Sequence, residues 1–301
     1  MTALNYLLDH PVLNARLEAM GGTIEVPALP DLYMRLRDLI KSPTGNAQKA
    51  AELIGKDPSL VMKVLKTVNS PAYGLRQQVT KLDQAIQMLG FNEVSNLVLA
   101  ATVMKQFPVR PGDRLLNLRK FWEHSIGVAV MTRVVMRHCK RIVGTTAEEA
   151  FISGLIHDVG KLMLYQTFPQ EFTQAMGKCR SEQMSLVDAE QMVFGFTHQD
   201  IGAYVADTWG FSRNMVKAIE LHNTPFMLDT DDDSFTFVSL VHVSNLLAHF
   251  LNFGSSGDPF LPAFHFDCAD AIEFNVGDLE VLLAEGKAAF AEINGSMNAI
   301  T

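Results

Sequence analysis

Cysteine is scarce in this chain and never paired. Cys139, Cys179 and Cys268 lie far apart with no Cys-x-x-Cys spacing, which excludes a disulfide framework and a thiolate zinc site and leaves reduced, mostly buried thiols. Long apolar runs are missing too: no stretch approaches the roughly 18 to 20 residues that a membrane span needs. Met1 to Gly21 carries Asp9, His10, Pro11, Asn14, Arg16 and Glu18 where a signal peptide would have its apolar stretch. Positive charge is in deficit, with 25 Lys and Arg against 33 Asp and Glu and a formal charge of -8, so a bulk polyelectrolyte binder of nucleic acid or an anionic membrane surface is not indicated. Strand-type alternation is nearly absent. What remains is 301 residues with 48% hydrophobic and 19% charged, enough apolar material for a sizeable core, and a soluble, untargeted, cytoplasmic chain is expected.

The acidity is unevenly distributed. Met1 to Arg110 holds 12 basic and 9 acidic side chains, whereas Pro111 onward holds 13 and 24. Pro108, Pro111 and Gly112 form the clearest break in the first half, at the same place, so the expected organisation is an N-terminal helical subdomain over residues 1–110 and a larger helical domain over residues 111–301. Leu29, Leu32, Leu36, Leu39 and Ile40 recur at helical spacing. Asp57-Pro58 opens the run Leu60 to Val68 as an N-cap and first-turn proline should. Thr80 and Asp83 suggest a capping box ahead of Ala85, Ile86 and Leu89, with Gly90 as the stop, and Asn92 is the expected cap of a helix from Val94 to Met104. In the second half, helices are expected over Leu115–Cys139, Ala147–Tyr165, Pro169–Cys179, Ser185–Phe194, His198–Trp209, Met215–His222, Phe235–Phe253 and Val276–Asn294. The fold class is all-α.

Histidines carry the chemistry to be expected. His124 follows Trp122 inside a long helix; His157 and Asp158 are adjacent in Gly154-Leu155-Ile156-His157-Asp158-Val159-Gly160-Lys161; His198, His222 and His242 sit in separate helices. Adjacent side chains on a helix point about 100° apart, so His157 and Asp158 converge on one ion only if it lies in the wedge between them. Imidazole nitrogen with carboxylate oxygen suits Mn, Fe, Zn or Mg. Lys161, one turn on, is placed to face a substrate phosphate. Each residue also has a structural reading: His124 as a hydrogen-bonded packing residue, His157 and Asp158 as a network holding helices in register, Lys161 as an ion-pair partner. His10, His138, His249 and His265 have no partner constellation and read as surface or packing residues.

This order of residues resembles the HD superfamily of metal-dependent phosphohydrolases, whose minimal signature is a His, a His-Asp pair and a distant Asp. The resemblance is more specific. Val26-Pro27-Ala28-Leu29-Pro30, Asp57-Pro58-Ser59-Leu60, Val68-Asn69-Ser70-Pro71-Ala72-Tyr73-Gly74, Ile86-Gln87-Met88-Leu89-Gly90 and Trp122-Glu123-His124-Ser125 follow one another as in the HDOD family, the HD-related output domain of bacterial signalling proteins. The likeness spans approximately Val26 to Leu247. It implies an HD-domain-like helical bundle with an N-terminal helical subdomain, in a bacterial signal-transduction output module. By the same resemblance His124 matches the first histidine, His157 and Asp158 match the His-Asp pair, and His198 and His222 match positions that hold a second metal in HD-GYP-type relatives. Two positions depart: Asn223 stands where those relatives have a second adjacent histidine, and Asn245 where the HD signature ends in a metal-binding aspartate.

An asparagine presents a neutral carbonyl oxygen, so it balances a dication less well than a carboxylate does. The expected metal set is therefore His124, His157, Asp158, His198, His222 and Asn245, holding one divalent ion or none. The expected role is regulatory binding of a signalling protein partner or a small nucleotide-like ligand, with a degenerate metal site. The alternative is a weak metal-dependent phosphohydrolase acting on a nucleotide or cyclic dinucleotide, with Asp158 and Lys161 as its catalytic residues. A third reading rests on Leu60 to Gly74 imitating a helix-turn-helix with Lys63, Lys66, Arg76 and Lys81 nearby; that charge is modest for a recognition helix, and nucleic acid is not the expected partner.

Overall fold

The computed structural model describes residues 10–21, 24–69, 77–108, 115–142 and 144–297, and among them the regular structure is helical. None of these helices is long and apolar enough to cross a membrane. The chain forms two compact units, one of residues 1–26 and 111–286 and one of residues 27–110 and 287–301. The expected break at Pro108 to Gly112 falls largely outside the described residues, as do Ser70 to Gly74 of the sequence phrase that begins at Val68.

A short helix, α1 (Pro11–Ala19), precedes the smaller unit, which contains α2 (Asp31–Lys41), α3 (Ala47–Ile54), α4 (Pro58–Val68), α5 (Leu82–Leu89) and α6 (Phe91–Gln106). Leu36, Ile54, Leu60, Val64, Ile86 and Val98 supply its apolar centre. Asp57 caps α4 as expected, accepting from the backbone N–H groups of Ser59 and Leu60. Its other oxygen receives the Lys105 ammonium of α6 at 2.9 Å. Asn69 donates to the carbonyls of Leu65 and Val79 and accepts from the Val79 N–H, tying the end of α4 to the return of the chain ahead of α5. Two expected caps are not used. Lys81, not Thr80, precedes α5 and makes no side-chain cap, and α6 begins at Phe91, directly after Gly90 at φ 85°, so Asn92 lies inside the helix.

The larger unit contains α7 (Leu118–His138), α8 (Ala147–Ile156), α9 (Val159–Thr167), α10 (Pro169–Glu182), α11 (Leu186–Phe194), α12 (His198–Thr208), α13 (Arg213–Leu221), α14 (Phe235–Phe250), α15 (Phe266–Ala271) and the first turns of α16 (Leu279–Met297). Pro225–Met227 forms a 3-10 turn before α14. Helix α7 packs against α8 and α14, α9 against α12, and α13 against both α12 and α14. Several expected boundaries hold to within a few residues. The single helix expected over Ala147–Tyr165 does not. It breaks at His157-Asp158, where Asp158 has φ -100° and ψ 7°, so the wedge geometry of a continuous helix does not apply.

Close helix approach accompanies that break on both sides. A Cβ on Gly160 would overlap the carbonyl oxygen of His198 and lie 2.7 Å from the N of Gly202, and one on Gly154 would lie 2.8 Å from Cα of Ala129. Glycine at these two positions lets α8 seat on α7 and α9 seat on the start of α12. Gly160→Ala is expected to destabilise the protein by about 2 kcal/mol through forced separation of α9 and α12. Gly177→Ala, in open space on α10, is expected to stabilise by about 1 kcal/mol. Denaturant midpoints of the two variants should move in opposite directions.

The Lys105 ion pair holds the Asp57 carboxyl below its usual range, helped by the backbone donors. A depressed folded pKa stabilises above the unfolded value and loses that contribution as pH falls through the folded one. Asp57→Ala should therefore cost about 1 kcal/mol at neutral pH, chiefly through the lost cap, and the difference from the parent should shrink below pH 4.

Candidate functional site

Helices from across the larger unit contribute to one buried polar cluster. Helix α7, capped by Asn117, carries His124 on the stripe formed with Phe121, Ser125 and Val128. The α8–α9 break presents His157, Asp158 and Lys161. Thr197 and Asp200 form a reciprocal capping box at the start of α12, fixing His198 as its first residue. His222 terminates α13, and Asn245 lies on the inward stripe of α14 with Val238, Val241 and Ala248. Asp158 is 1% exposed and Lys161 2%. The expected site residues are therefore brought together.

Hydrogen bonds to the backbone orient the rings. Nδ1 of His157 lies 2.8 Å from the carbonyl of Gly154, and Nδ1 of His222 lies 2.7 Å from that of Ile219, so each Nδ1 donates, and each Nε2 is turned toward the cluster. Both Nε2 atoms face a carboxylate. His157 Nε2 is 3.2 Å from Asp158 Oδ2, and His222 Nε2 is 3.4 Å from Asp158 Oδ1. Neither His157 Nε2 nor Asp158 Oδ1 has a hydrogen-bond partner. An unpartnered ring nitrogen beside an unpartnered carboxylate oxygen in a buried cluster is a donor set into which a cation fits. Burial pushes His222 down to about 3, which keeps that imidazole neutral, and it drives His124 well below its ordinary value, reinforced by the charges of His249 and His157.

Two groups of ligand atoms are close enough for a metal: His124, His157 and Asp158, and Asp158, His198 and His222. Burial alone would raise the Asp158 carboxyl, but the surrounding imidazoles and the Lys161 ammonium, 2.8 Å from Oδ2, hold it well below its usual range. Lys161 is thus an ion-pair partner inside the cluster and does not stand free to face a ligand.

The asparagines also belong to the cluster. Asn223 Nδ2 lies 3.0 Å from His222 Nε2 and 3.3 Å from His198 Nε2; Asn245 Nδ2 donates to Asn223 Oδ1 at 3.3 Å; and Asn245 Oδ1 accepts from His124 Nε2 at 3.0 Å. Because Ile219 assigns the tautomer of His222, the direction of the whole chain follows: Asn223 donates, Asn245 donates to Asn223, and His124 carries its proton on Nε2.

Glu190 of α11 was missed by the sequence reading. It is fully buried and accepts from both the backbone N–H and Nδ1 of His198, at 2.8 and 2.6 Å. Burial would lower His198, but the Glu190 carboxylate reverses it, with the Asp158 carboxylate 3.4 Å from Nε2 acting in the same direction, and the imidazole is raised to about 9. The available signal was an acidic residue on the Leu186, Glu190, Phe194 stripe of an amphipathic helix. A carboxylate behind a histidine is the usual way of orienting a metal-binding ring. His249, read as surface or packing, is half-buried with its ring centroid 4.4 Å from that of His124. His242 is buried and hydrogen-bonds through Nδ1 to the His222 carbonyl.

Comparison with known proteins follows this geometry. The family model described as the HDOD domain matches residues 26–225. The chain is similar in fold to an HDOD domain protein of unknown function from Geobacter sulfurreducens, at 21% identity and a TM-score of 0.76, covering 97% of this chain and 99% of the other. It is also similar to a proposed signal-transduction protein from Marinobacter aquaeolei, at 20% identity and a TM-score of 0.74, covering 99% of this chain and 67% of that one. An uncharacterized protein of Treponema pallidum is 21% identical over 233 residues, which is 76% of this chain but 43% of that protein, so the chain spans less than half the length of this curated relative.

Removing the partner of a buried charge leaves the other uncompensated. Glu190→Ala is therefore expected to cost about 3 kcal/mol, and Glu190→Gln, which still accepts from the His198 N–H, less. A denaturant midpoint unmoved by Glu190→Ala would contradict the role given to this carboxylate.

Proposed function

The chain belongs to the HDOD family, and from that membership and the amide-bridged cluster we propose that it is a regulatory output module in bacterial signal transduction. It works by binding a signalling protein partner or a small nucleotide-like ligand, with a degenerate metal site in place of an efficient catalytic one. The observation that carries this reading is the hydrogen-bonded pair Asn223–Asn245, whose amides engage ring nitrogens of His124, His198 and His222. The Nε2 lone pair of His222 that an ion would use is spent on an Asn223 amide proton, and Nε2 of His124 carries a proton directed at the Asn245 carbonyl.

Charge balance supports the same reading. Asp158 and Glu190 are the carboxylates of the cluster, and Lys161 and the raised His198 offset them. Two dications would place four further positive charges against these two anions in a helical core, which is costly. One ion fits, held by His157 and Asp158 with His124, or by Asp158 with His198 and His222, and Asn245 could offer it only a neutral carbonyl.

The second reading, a weak phosphohydrolase, is favoured by one observation: His157 Nε2 and Asp158 Oδ1 have no hydrogen-bond partner. A divalent ion such as Mn, Fe, Zn or Mg would there supply Lewis-acid polarisation of a phosphate and water activation. Asp158 and the imidazoles would hold it, and Lys161 would have to leave Asp158 to meet a phosphate oxygen.

Metal analysis of protein purified without a nickel column, together with phosphodiesterase and nucleotidase assays in added Mn, separates the readings. At most one ion per chain and negligible turnover are expected. Robust turnover abolished by Asp158→Ala would remove the binding-module reading. Asn245→Asp is expected to raise metal affinity by about tenfold or more, since it returns an anion to the cluster; unchanged affinity would mean that position 245 does not face the ion.

A further inference from the structure

A second feature of the larger unit lies mostly beyond the residues that the family model matches. From Ala218 to Gly286 the sequence carries twelve carboxylates and no Lys or Arg. Within the same stretch, large apolar side chains face outward. The 3-10 turn exposes Phe226 (63%) and Met227 (70%), and the start of α15 exposes Phe266 (76%), with Phe264 edge-on to it at 5.0 Å between ring centroids. Phe226 stacks on His265 at 5.0 Å.

Two cavities adjoin these rings. One, of about 220 Å³, is lined by Phe226, Leu228, Phe235, His265 and Cys268. The other, of about 490 Å³, shares Thr230, Phe235 and Asp267 with the first and is lined further by Asp231, Asp233, Asp270 and Arg141. Asp232, also on its wall, is engaged by Lys217 at 2.6 Å. Exposed carboxylates thus outnumber the one basic side chain on that wall, and they border a slot where Phe226, Leu228 and Phe235 stand among polar groups that include Asp229 and Thr230. Soluble proteins rarely leave such clustered apolar surface uncovered.

We propose that this face docks a basic segment of a partner protein, one that seats an aromatic or long aliphatic side chain against Phe226, Phe235 and His265 and lays Lys or Arg over Asp231, Asp233, Asp267 and Asp270. Charge selects this occupant. A second copy would bring the same carboxylates face to face, and an anionic bilayer or a nucleic acid would be repelled. Apolar anchors supply most of the affinity of such contacts and charges supply register and on-rate. The inference deepens the binding-module reading and rests on it only in taking the partner to be a protein; it uses none of the metal-cluster residues.

The test is selection of a random peptide library displayed on phage against the immobilised full chain, counter-selected against Phe226→Ala/Phe266→Ala. Both positions are exposed, and thermal melts check that the variant folds. Recovered sequences should pair Lys or Arg with Phe, Trp or Leu. Fluorescently labelled, the best peptide should bind the double variant about tenfold or more weakly, bind Asp267→Asn/Asp270→Asn more weakly as well, and weaken with rising salt. No enrichment over the double variant, acidic or uncharged consensus sequences, or equal binding to the variants would overturn the proposal. So would a dimer in sedimentation that Phe226→Ala/Phe266→Ala dissolves, or Phe226-dependent binding to phosphatidylglycerol vesicles. Metal content, read on the same preparations, follows the His-Asp cluster and not this face, so failure here and failure of the binding-module reading are told apart.

Discussion

Asp158 keeps its negative charge at 1% exposure because Lys161 sits 2.8 Å away and imidazoles surround it. An isolated carboxylate in a helical core would be driven to neutralise, so the surrounding geometry has to deliver compensating groups. The break between α8 and α9 turns the carboxylate inward. Gly160 lets α9 approach α12 closely enough to bring His198 within 3.4 Å of Asp158 Oδ1, and Glu190 in turn holds His198 in its charged form. One buried anion thus accounts for a helix break, a small-residue contact and a second carboxylate.

The same anion frames the question of binding against catalysis. Lys161 and His198 balance Asp158 and Glu190 with no ion required, and the Asn223–Asn245 pair takes up ring nitrogens on the far side. A site that is electrically satisfied in this way has little drive to recruit dications, yet the unpartnered His157 Nε2 and Asp158 Oδ1 leave room for one. The acidic, aromatic-rimmed face around Phe226 and Phe266 draws on separate residues, so recognition of a partner there does not depend on whether the cluster holds metal.

Much of this was legible before any coordinates. Helical periodicity and the Asp57 cap located most helices, because local hydrogen bonds to backbone N–H groups act within a few residues of sequence. The His-Asp pair and the distant histidines could be named from their order. The break at His157-Asp158 could not, since locally the segment reads as continuous helix and the close contact of Gly160 with a helix nearly forty residues away is a tertiary fact. Glu190 was overlooked for a similar reason: an acidic residue on an apolar stripe means something only when the histidine it receives is known. Lys161 was given a role toward phosphate because spacing shows its direction and not its partner. Asn223 and Asn245 were recognised as departures, but their bond to each other is a tertiary fact.

Anomalous diffraction from crystals soaked in Mn tests the central claim most directly. At most one peak beside Asp158, with the Asn223–Asn245 hydrogen bond retained, is the predicted result. Two peaks ~3.5–4 Å apart bridged by the Asp158 carboxylate, as in dinuclear hydrolases, with the amides drawn away from the histidines, would contradict it.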